Sequence, residues 1–377
     1  MSEALVIGLK GSNNVGIIDP WGSTEIENYE RLFEEFGIQR MDGLVDRLPC
    51  KPSFIRRGII FGHRDFERIV EAINKQQPFA VVSGIKPTGP LHIGTILTLR
   101  EMIFFQKLGG MVFYCIADIE AYEDNGIPLE ESEKIALDNV TDALALGLDP
   151  SRAYIYRQSK ENDVKDLAFI FARSVTLSTI EAIYGVRHMG LYMSALIQVG
   201  DILLPQLKRF GGPKPTLVPV GIDQDPHIRL CRDLAHKFRE KYGFILPSAT
   251  YHKIIRGLDG SPKMSKRNPM SYFTLTEDVE SIAFKLRNAF TGGRPTAKEQ
   301  RTLGGEPEKC PIFDLYKFFF VEDDDKLLEI YWRCKSGEML CGEDKAFAIE
   351  VVTSFIKEHQ KKREVFADKS RELLDLD

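Results

Sequence analysis

From residue 78 the chain alternates short apolar runs with longer amphipathic ones. FAVVSG (79–84), MVFYCIA (111–117), AYIYR (153–157) and TLVPVG (216–221) are separated by stretches of helical period such as PLEESEKIALDNVTDALALGL (128–148). Strands that alternate with helices pair side by side through right-handed crossovers, which predicts a parallel sheet with helices packed on it. After about residue 275 the strand signal fades, and the chain closes on a 33-residue amphipathic stretch from Gly342 to Leu374. The expectation is an α/β fold: a Rossmann-type parallel-sheet domain over 78–275, then an all-helical domain over 276–377. Residues 1–77 are mixed, with an acidic helix-like run TEIENYERLFEEFG (24–37) and RRGIIFGHRDF (56–66), and are expected to dock on the α/β domain. At 377 residues, 43% hydrophobic, the chain can bury one large core and a second smaller one.

Between the first strand and the next helix lies SGIKPTGPLHIGT (83–95), whose prolines and glycines suit neither element. A strand that enters a Gly-rich turn and delivers a helix N-terminus is where an α/β sheet binds phosphate. Gly84 and Gly89 would permit close backbone approach there. His92 can donate to a phosphate oxygen, and Gly94 leaves room for an adenine or ribose against the helix. The turn alone is a weak signal, since a lone histidine in a turn is more often structural. About 170 residues later, GSPKMSKRNPMS (260–271) reads as an irregular loop carrying Lys263, Lys266 and Arg267 around Met264 and Ser265. Its bland reading is a solvated basic loop. Paired with the turn, it reads as a mobile cationic arm that closes over a triphosphate, where positioning and charge stabilisation dominate transfer at phosphorus.

Charge and cysteine content narrow the class. The formal charge is −5, from 50 Lys+Arg against 55 Asp+Glu, so any nucleic-acid contact must use a local basic patch. Six cysteines form no CxxC pair, and no stretch has signal-peptide or membrane-spanning character. These features predict a reduced cytoplasmic protein, without a membrane association, a structural zinc or another dedicated protein metal site.

The two loops resemble the HIGH and KMSKS signatures of class I aminoacyl-tRNA synthetases. The wider match is similar to tryptophanyl-tRNA synthetases of the archaeal and eukaryotic type, through DPW (19–21), RRGIIFGHRDF (56–66), VGIDQDP (220–226), GGRPTAKEQRTLGG (292–305), FFFVEDDDKL (318–327) and SGEMLCGEDK (336–345). Two positions depart from the signatures: Thr95 stands for the second histidine and Arg267 for the final serine. The resemblance implies activation of L-tryptophan by ATP, with Mg2+, to tryptophanyl-AMP, followed by transfer to tRNA(Trp). It implies catalytic roles for His92, Lys263 and Lys266. ATP would be held by Gly84, Gly89, His92, Gly94, Thr95, Gly221, Asp223, Met264 and Ser265. Asp223 also fits a helix N-cap, since it precedes QDPHIRLCRDLA.

A tryptophan site needs an apolar slot, an acceptor for the indole N–H and polar groups for the ammonium. In LYMSALIQVGDILL, Gln198 and Asp201 fall i, i+3 on one helix face, and a carboxylate among Leu, Ile and Val is costly unless paired. By resemblance Asp201 reaches the far end of the substrate, Gln198 lies nearer its amino group, Gln224 lies beside the ATP ribose and the amino acid, and Glu120 receives the ammonium. Eukaryotic relatives carry a tyrosine and a glutamine for the indole where Val82 and Cys115 stand, which leaves Asp201 as the expected acceptor. An acceptor at that depth would also suit tyrosine, so a tyrosyl-tRNA synthetase is one alternative; a non-catalytic RNA-binding paralogue is another. Within IKEHQKKRE, Lys357, Lys361, Lys362 and Arg363 recur at near-helical spacing. Their bland reading is a solvated face, and the resemblance makes them tRNA contacts on an anticodon-binding domain of a homodimer.

Overall fold

A computed structural model describes residues 29–376. DPW and residues 24–28 of the acidic run lie outside the described residues.

Seven strands form one sheet: β1 (Gln39–Arg40), β2 (Ile60–Arg64), β3 (Ala80–Ile85), β4 (Met111–Ile116), β5 (Ala153–Arg157), β6 (Thr216–Gly221) and β7 (Ser248–His252), in spatial order β1-β2-β7-β6-β3-β4-β5. β3 to β7 pair in parallel, and β2 adds antiparallel to β7, with β1 antiparallel beyond it. The four apolar runs are strands. SATYH and IFGHR, which carry His, Thr and Arg among their apolar residues, are strands too, and their composition concealed them. From β3 the chain winds outward through β4 and β5, then returns to lay β6 on the other side of β3. That reversal opens a crevice at the carboxyl ends of β3 and β6, where open α/β sheets bind ligands.

Strand alternation divides the core. Val81, Val112, Tyr114, Ile116 and Leu217 join an apolar cluster on one face, while Val82, Phe113, Cys115, Val218 and Val220 join another on the opposite face. The first cluster takes in the Ile96–Lys107 and Leu129–Ala145 helices and continues through Ile312, Leu315 and Tyr316 to Ala348, Val352 and Ile356 of the Cys341–Leu373 helix. The helical region therefore shares buried surface with one face of the sheet. The second cluster packs the Asn162–Ala172, Met189–Leu203 and Asp225–Lys237 helices.

Candidate active site

β3 runs out at Ile85, and the chain turns through Lys86–Leu91 into a 3-10 turn, Ile93–Thr95, that feeds the Ile96–Lys107 helix. His92 caps this entry: its Nδ1 accepts from the Gly94 N–H at 3.2 Å, which places the ring proton on Nε2. Burial, then the nearby Lys266 charge, pushes the imidazole pKa down to about 4, so His92 is a neutral donor at neutral pH. The Thr95 hydroxyl donates to the His92 carbonyl at 2.7 Å, so this departure from the signature closes the same turn. A Cβ on Gly94 would lie 3.1 Å from the His92 ring and from Met264 Sδ. Gly84 is constrained differently. A Cβ there would sit 2.2 Å from the Cys115 carbonyl on β4, so this glycine is demanded by strand packing as well as by the crevice.

The lysine-bearing loop is stitched to the turn. Ile93 N donates to Phe273 O at 3.1 Å and Leu275 N to Leu91 O at 2.9 Å, which lays 273–275 beside the signature segment. Within the loop, Ser271 Oγ accepts from Ser265 N at 3.0 Å and donates back to Ser265 O. Met264 is buried, and Lys266 Nζ donates to Thr88 Oγ1 at 2.8 Å across the turn. Loss of water around that ammonium, then repulsion from Lys86, pushes its pKa down to about 8. Desolvation raises the Asp223 carboxyl and the Lys263 charge draws it back. Asp223 is not the helix N-cap. It sits in a 3-10 turn, Ile222–Gln224, ahead of a helix that begins at Asp225, with Gln224 in the cap position. A Cβ on Gly221 would meet Asp223 Oδ1 at 2.5 Å, so the glycine makes way for the carboxylate.

Two cavities abut here. One, of about 240 Å³, is lined by His92, Gly94, Thr95, Gly221, Asp223, Lys263 and Met264 among others. The second, of about 260 Å³, is lined by Val82, Cys115, Glu120, Gln158, Gln198 and Asp201. Gly84, Ile85, Thr98, Gly221 and Gln224 line both, so the cavities meet at the ends of β3 and β6. Asp201 is 3% exposed and receives Tyr156 Oη at 2.9 Å and Gln158 Nε2 at 2.6 Å. Burial pushes its pKa up to about 7, although Gln158, Tyr156 and Cys115 pull the other way. Glu120 Oε1 lies 3.5 Å from Lys86 Nζ, which also pairs with Asp124.

The sequence had not singled out Lys86, although it lies inside the quoted turn as a lone cation beside the phosphate signature. Tyr156 and Gln158 carried no signal, because only the packing of the Met189–Leu203 helix against the face of the sheet that holds Tyr156 brings them to Asp201. Thr98 Oγ1 and His252 Nε2, 3.0 Å apart, tie the helix after the turn to β7. The basic face divides as well. Lys357, Lys361 and Lys362 are exposed. Arg363 departs from the surface reading: its guanidinium pairs with Asp138 and with the fully buried Asp142 of the Leu129–Ala145 helix. One helical turn has two sides, and Arg363 falls on the packed one.

Comparison with known proteins shows the family to which a chain of this fold belongs. A family model described as tRNA synthetases class I (W and Y) matches residues 74–357. The chain is 42% identical to a tryptophan–tRNA ligase of Methanocaldococcus jannaschii, covering 92% of this chain and 95% of the relative. It is 43% identical to a tryptophan–tRNA ligase of Hyperthermus butylicus, covering 95% and 98%. The crystal structure of tryptophanyl-tRNA synthetase from Aeropyrum pernix K1 superposes with a TM-score of 0.88 at 41% identity, covering 94% of this chain and 98% of that one. A tryptophan-bound tryptophanyl-tRNA synthetase from Encephalitozoon cuniculi superposes with a TM-score of 0.81 at 25% identity, covering 93% and 97%.

Proposed function

Because the chain belongs to the class I tRNA synthetases for tryptophan and tyrosine and is a tryptophan–tRNA ligase that activates tryptophan with ATP and charges tRNA(Trp), we propose that the two abutting cavities divide its substrates. The nucleotide lies in the cavity of His92 and Lys263, and the amino acid lies in the cavity that ends at Asp201. The observation that carries this reading is their shared wall: at Gly84, Gly221 and Gln224 a carboxylate and an α-phosphorus can meet. In-line attack there expels pyrophosphate and forms the mixed anhydride.

Each side chain then has a task. His92 Nε2–H donates to phosphate as a neutral group, Asp223 accepts from a ribose hydroxyl, and Gly94 and Met264 bound the nucleoside. Lys263 and Lys266 stabilise charge that develops on the leaving pyrophosphate. Glu120 receives the ammonium with Gln198 and Gln224 nearby, and Asp201 accepts from the indole N–H. No group of three or more His, Cys, Asp or Glu able to hold a metal occurs among the described residues. Mg2+ would enter with ATP, on phosphate oxygens and water, as this ion commonly does.

Residues 276–377 act as the tRNA-reading helical unit, with Lys357, Lys361 and Lys362 as its phosphate contacts, while residues 1–77 complete the catalytic unit. A cytoplasmic homodimer fits the chain: Phe169, Leu177, Val186 and Met189 are 78%, 55%, 85% and 64% exposed within residues 169–189, apolar side chains that a second copy would cover. Among the described residues no single helix is long and apolar enough to cross a membrane. The test is amino-acid-dependent ATP–pyrophosphate exchange with all twenty amino acids. Tryptophan alone should support exchange, and exchange with tyrosine would overturn the assignment of the deep cavity.

A further inference from the structure

Two stretches that the catalytic reading leaves without a role, RRG (56–58) and FFFVEDDD (318–325), are bonded to each other beside the nucleotide cavity. Tyr316–Phe320 is a five-residue π-helix, closed by the Val321 N–H on Tyr316 O at 3.1 Å. Such segments are rare and are frequently found at functional sites. Phe318 and Phe319 from this segment line the same cavity as His92, Asp223 and Lys263.

Three arginines hold the segment in place by its backbone. Arg57, whose side chain is 1% exposed, donates to Lys317 O at 2.9 Å, to Glu322 O at 3.0 Å and to Asp324 Oδ1 at 2.7 Å. Arg56 donates to Glu322 O at 2.9 Å and to Asp324 Oδ2 at 2.9 Å. Arg100, on the helix that follows the phosphate turn, donates to Phe318 O at 3.1 Å and Phe319 O at 3.3 Å, with its guanidinium carbon 5.9 Å from the Phe319 ring centre. A guanidinium fork on carbonyl oxygens fixes direction as well as distance. The irregular backbone is thus over-determined from two separate parts of the chain.

The chemistry of ATP selects what meets these rings. The phosphates need cations and N–H donors, which lie at the His92, Lys263 and Lys266 end. The ribose needs an acceptor, Asp223. What is left is an uncharged heteroaromatic base, and the apolar part of the wall, which includes Ile255, Met264, Phe318, Phe319 and residues of the Ile96–Lys107 helix, offers it faces among which the Phe rings suit stacking. We propose that Phe319, with Phe318, forms the wall against which the adenine of ATP stacks, and that Arg57 and Arg100 are positioning residues for that wall. The helical region thereby contributes directly to ATP binding. This rests on the nucleotide reading of the cavity.

The test is steady-state ATP–pyrophosphate exchange with the full chain, reading KM for ATP and for tryptophan separately. Phe319→Ala should raise the ATP KM about fivefold to a hundredfold, the range that loss of one base–aromatic stack produces, with the tryptophan KM within twofold. Phe319→Leu keeps the apolar volume and should still raise the ATP KM, whereas Phe319→Tyr should restore it. Arg57→Lys keeps the charge but loses the fork, and should raise the ATP KM without moving the tryptophan KM. A parent-like ATP KM in both Phe319→Ala and Phe319→Leu overturns the wall, as does an equal rise in both KM values. Lys266→Ala in the same assay separates the two levels: if it is impaired while the Phe319 variants are not, only the wall is wrong, and if it too is parent-like, the nucleotide reading falls with it.

Discussion

Asp201 is the side chain whose chemistry is most exposed to test. Its oxygens already receive Tyr156 and Gln158, yet a carboxylate has about four acceptor sites, so capacity remains for one substrate N–H. An apolar slot separates aromatic substrates mainly by shape, at about 1–3 kcal/mol, whereas a site built on a polar contact rejects the analogue that lacks it more strongly. The parent should therefore discriminate against benzothienylalanine, whose sulfur replaces the indole N–H, and Asp201→Ala should lose most of that discrimination. An unchanged ratio of kcat/KM values for the two substrates would remove Asp201 from substrate contact. The same carboxyl makes stability pH-dependent. Burial raises its pKa from 3.8 to about 7, so between those values the folded chain keeps a proton that the unfolded chain has released. Its contribution is fully present below about pH 4 and declines as pH rises through 7. Urea midpoints at pH 5 and pH 8 should show this decline, reduced in Asp201→Asn; equal slopes would mean that Asp201 is ionised throughout.

The signature turn, its lysine loop and the long C-terminal helix each divide labour between neighbours. Lys266 reaches Thr88 across the turn and stands ready for charge that appears only as pyrophosphate departs. Lys266→Ala should cost about 2–4 kcal/mol of activation barrier with little change in tryptophan binding, judged from groups that stabilise oxyanions. Exchange within threefold of the parent at saturating ATP would remove that role. On the C-terminal helix, Arg363 and Lys361 are two residues apart but differ in fate. Arg363→Ala removes the guanidinium from Asp142, a carboxylate with no exposed surface that keeps only His359 Nε2 at 2.7 Å, and should destabilise the fold by about 1–3 kcal/mol, the scale of a lost charged hydrogen bond. Joint neutralisation of Lys357, Lys361 and Lys362 should leave stability near that of the parent, weaken tRNA binding and flatten its salt dependence while sparing adenylate formation. Unchanged tRNA affinity at two salt concentrations would assign those lysines to a solvated face.

In the assembled subunit, local chain properties and long-range contacts divide what the amino-acid sequence specifies. Local properties were legible: the four apolar runs between helical periods, the Gly-rich turn, the cationic loop, and Gln198 and Asp201 at i, i+3 spacing all arise from residues close together in the chain. The two antiparallel strands and β7 were hidden, because His, Thr and Arg within them are satisfied by partners far away, such as Thr250 Oγ1 on the buried Glu101 at 3.0 Å. Arg363 looked like its lysine neighbours until packing turned it toward Asp142. The sequence by itself determined the sheet class, the two signatures and the helical tail, since periodicity and turn chemistry act over a few residues. Only the tertiary structure decided which groups share a cavity, because the bonds between Asp201 and Gln158 or between Arg57 and Asp324 span 43 and 267 residues. At such separations composition carries no trace of the partner; the contact exists only once the sheet and the helices have buried their common core.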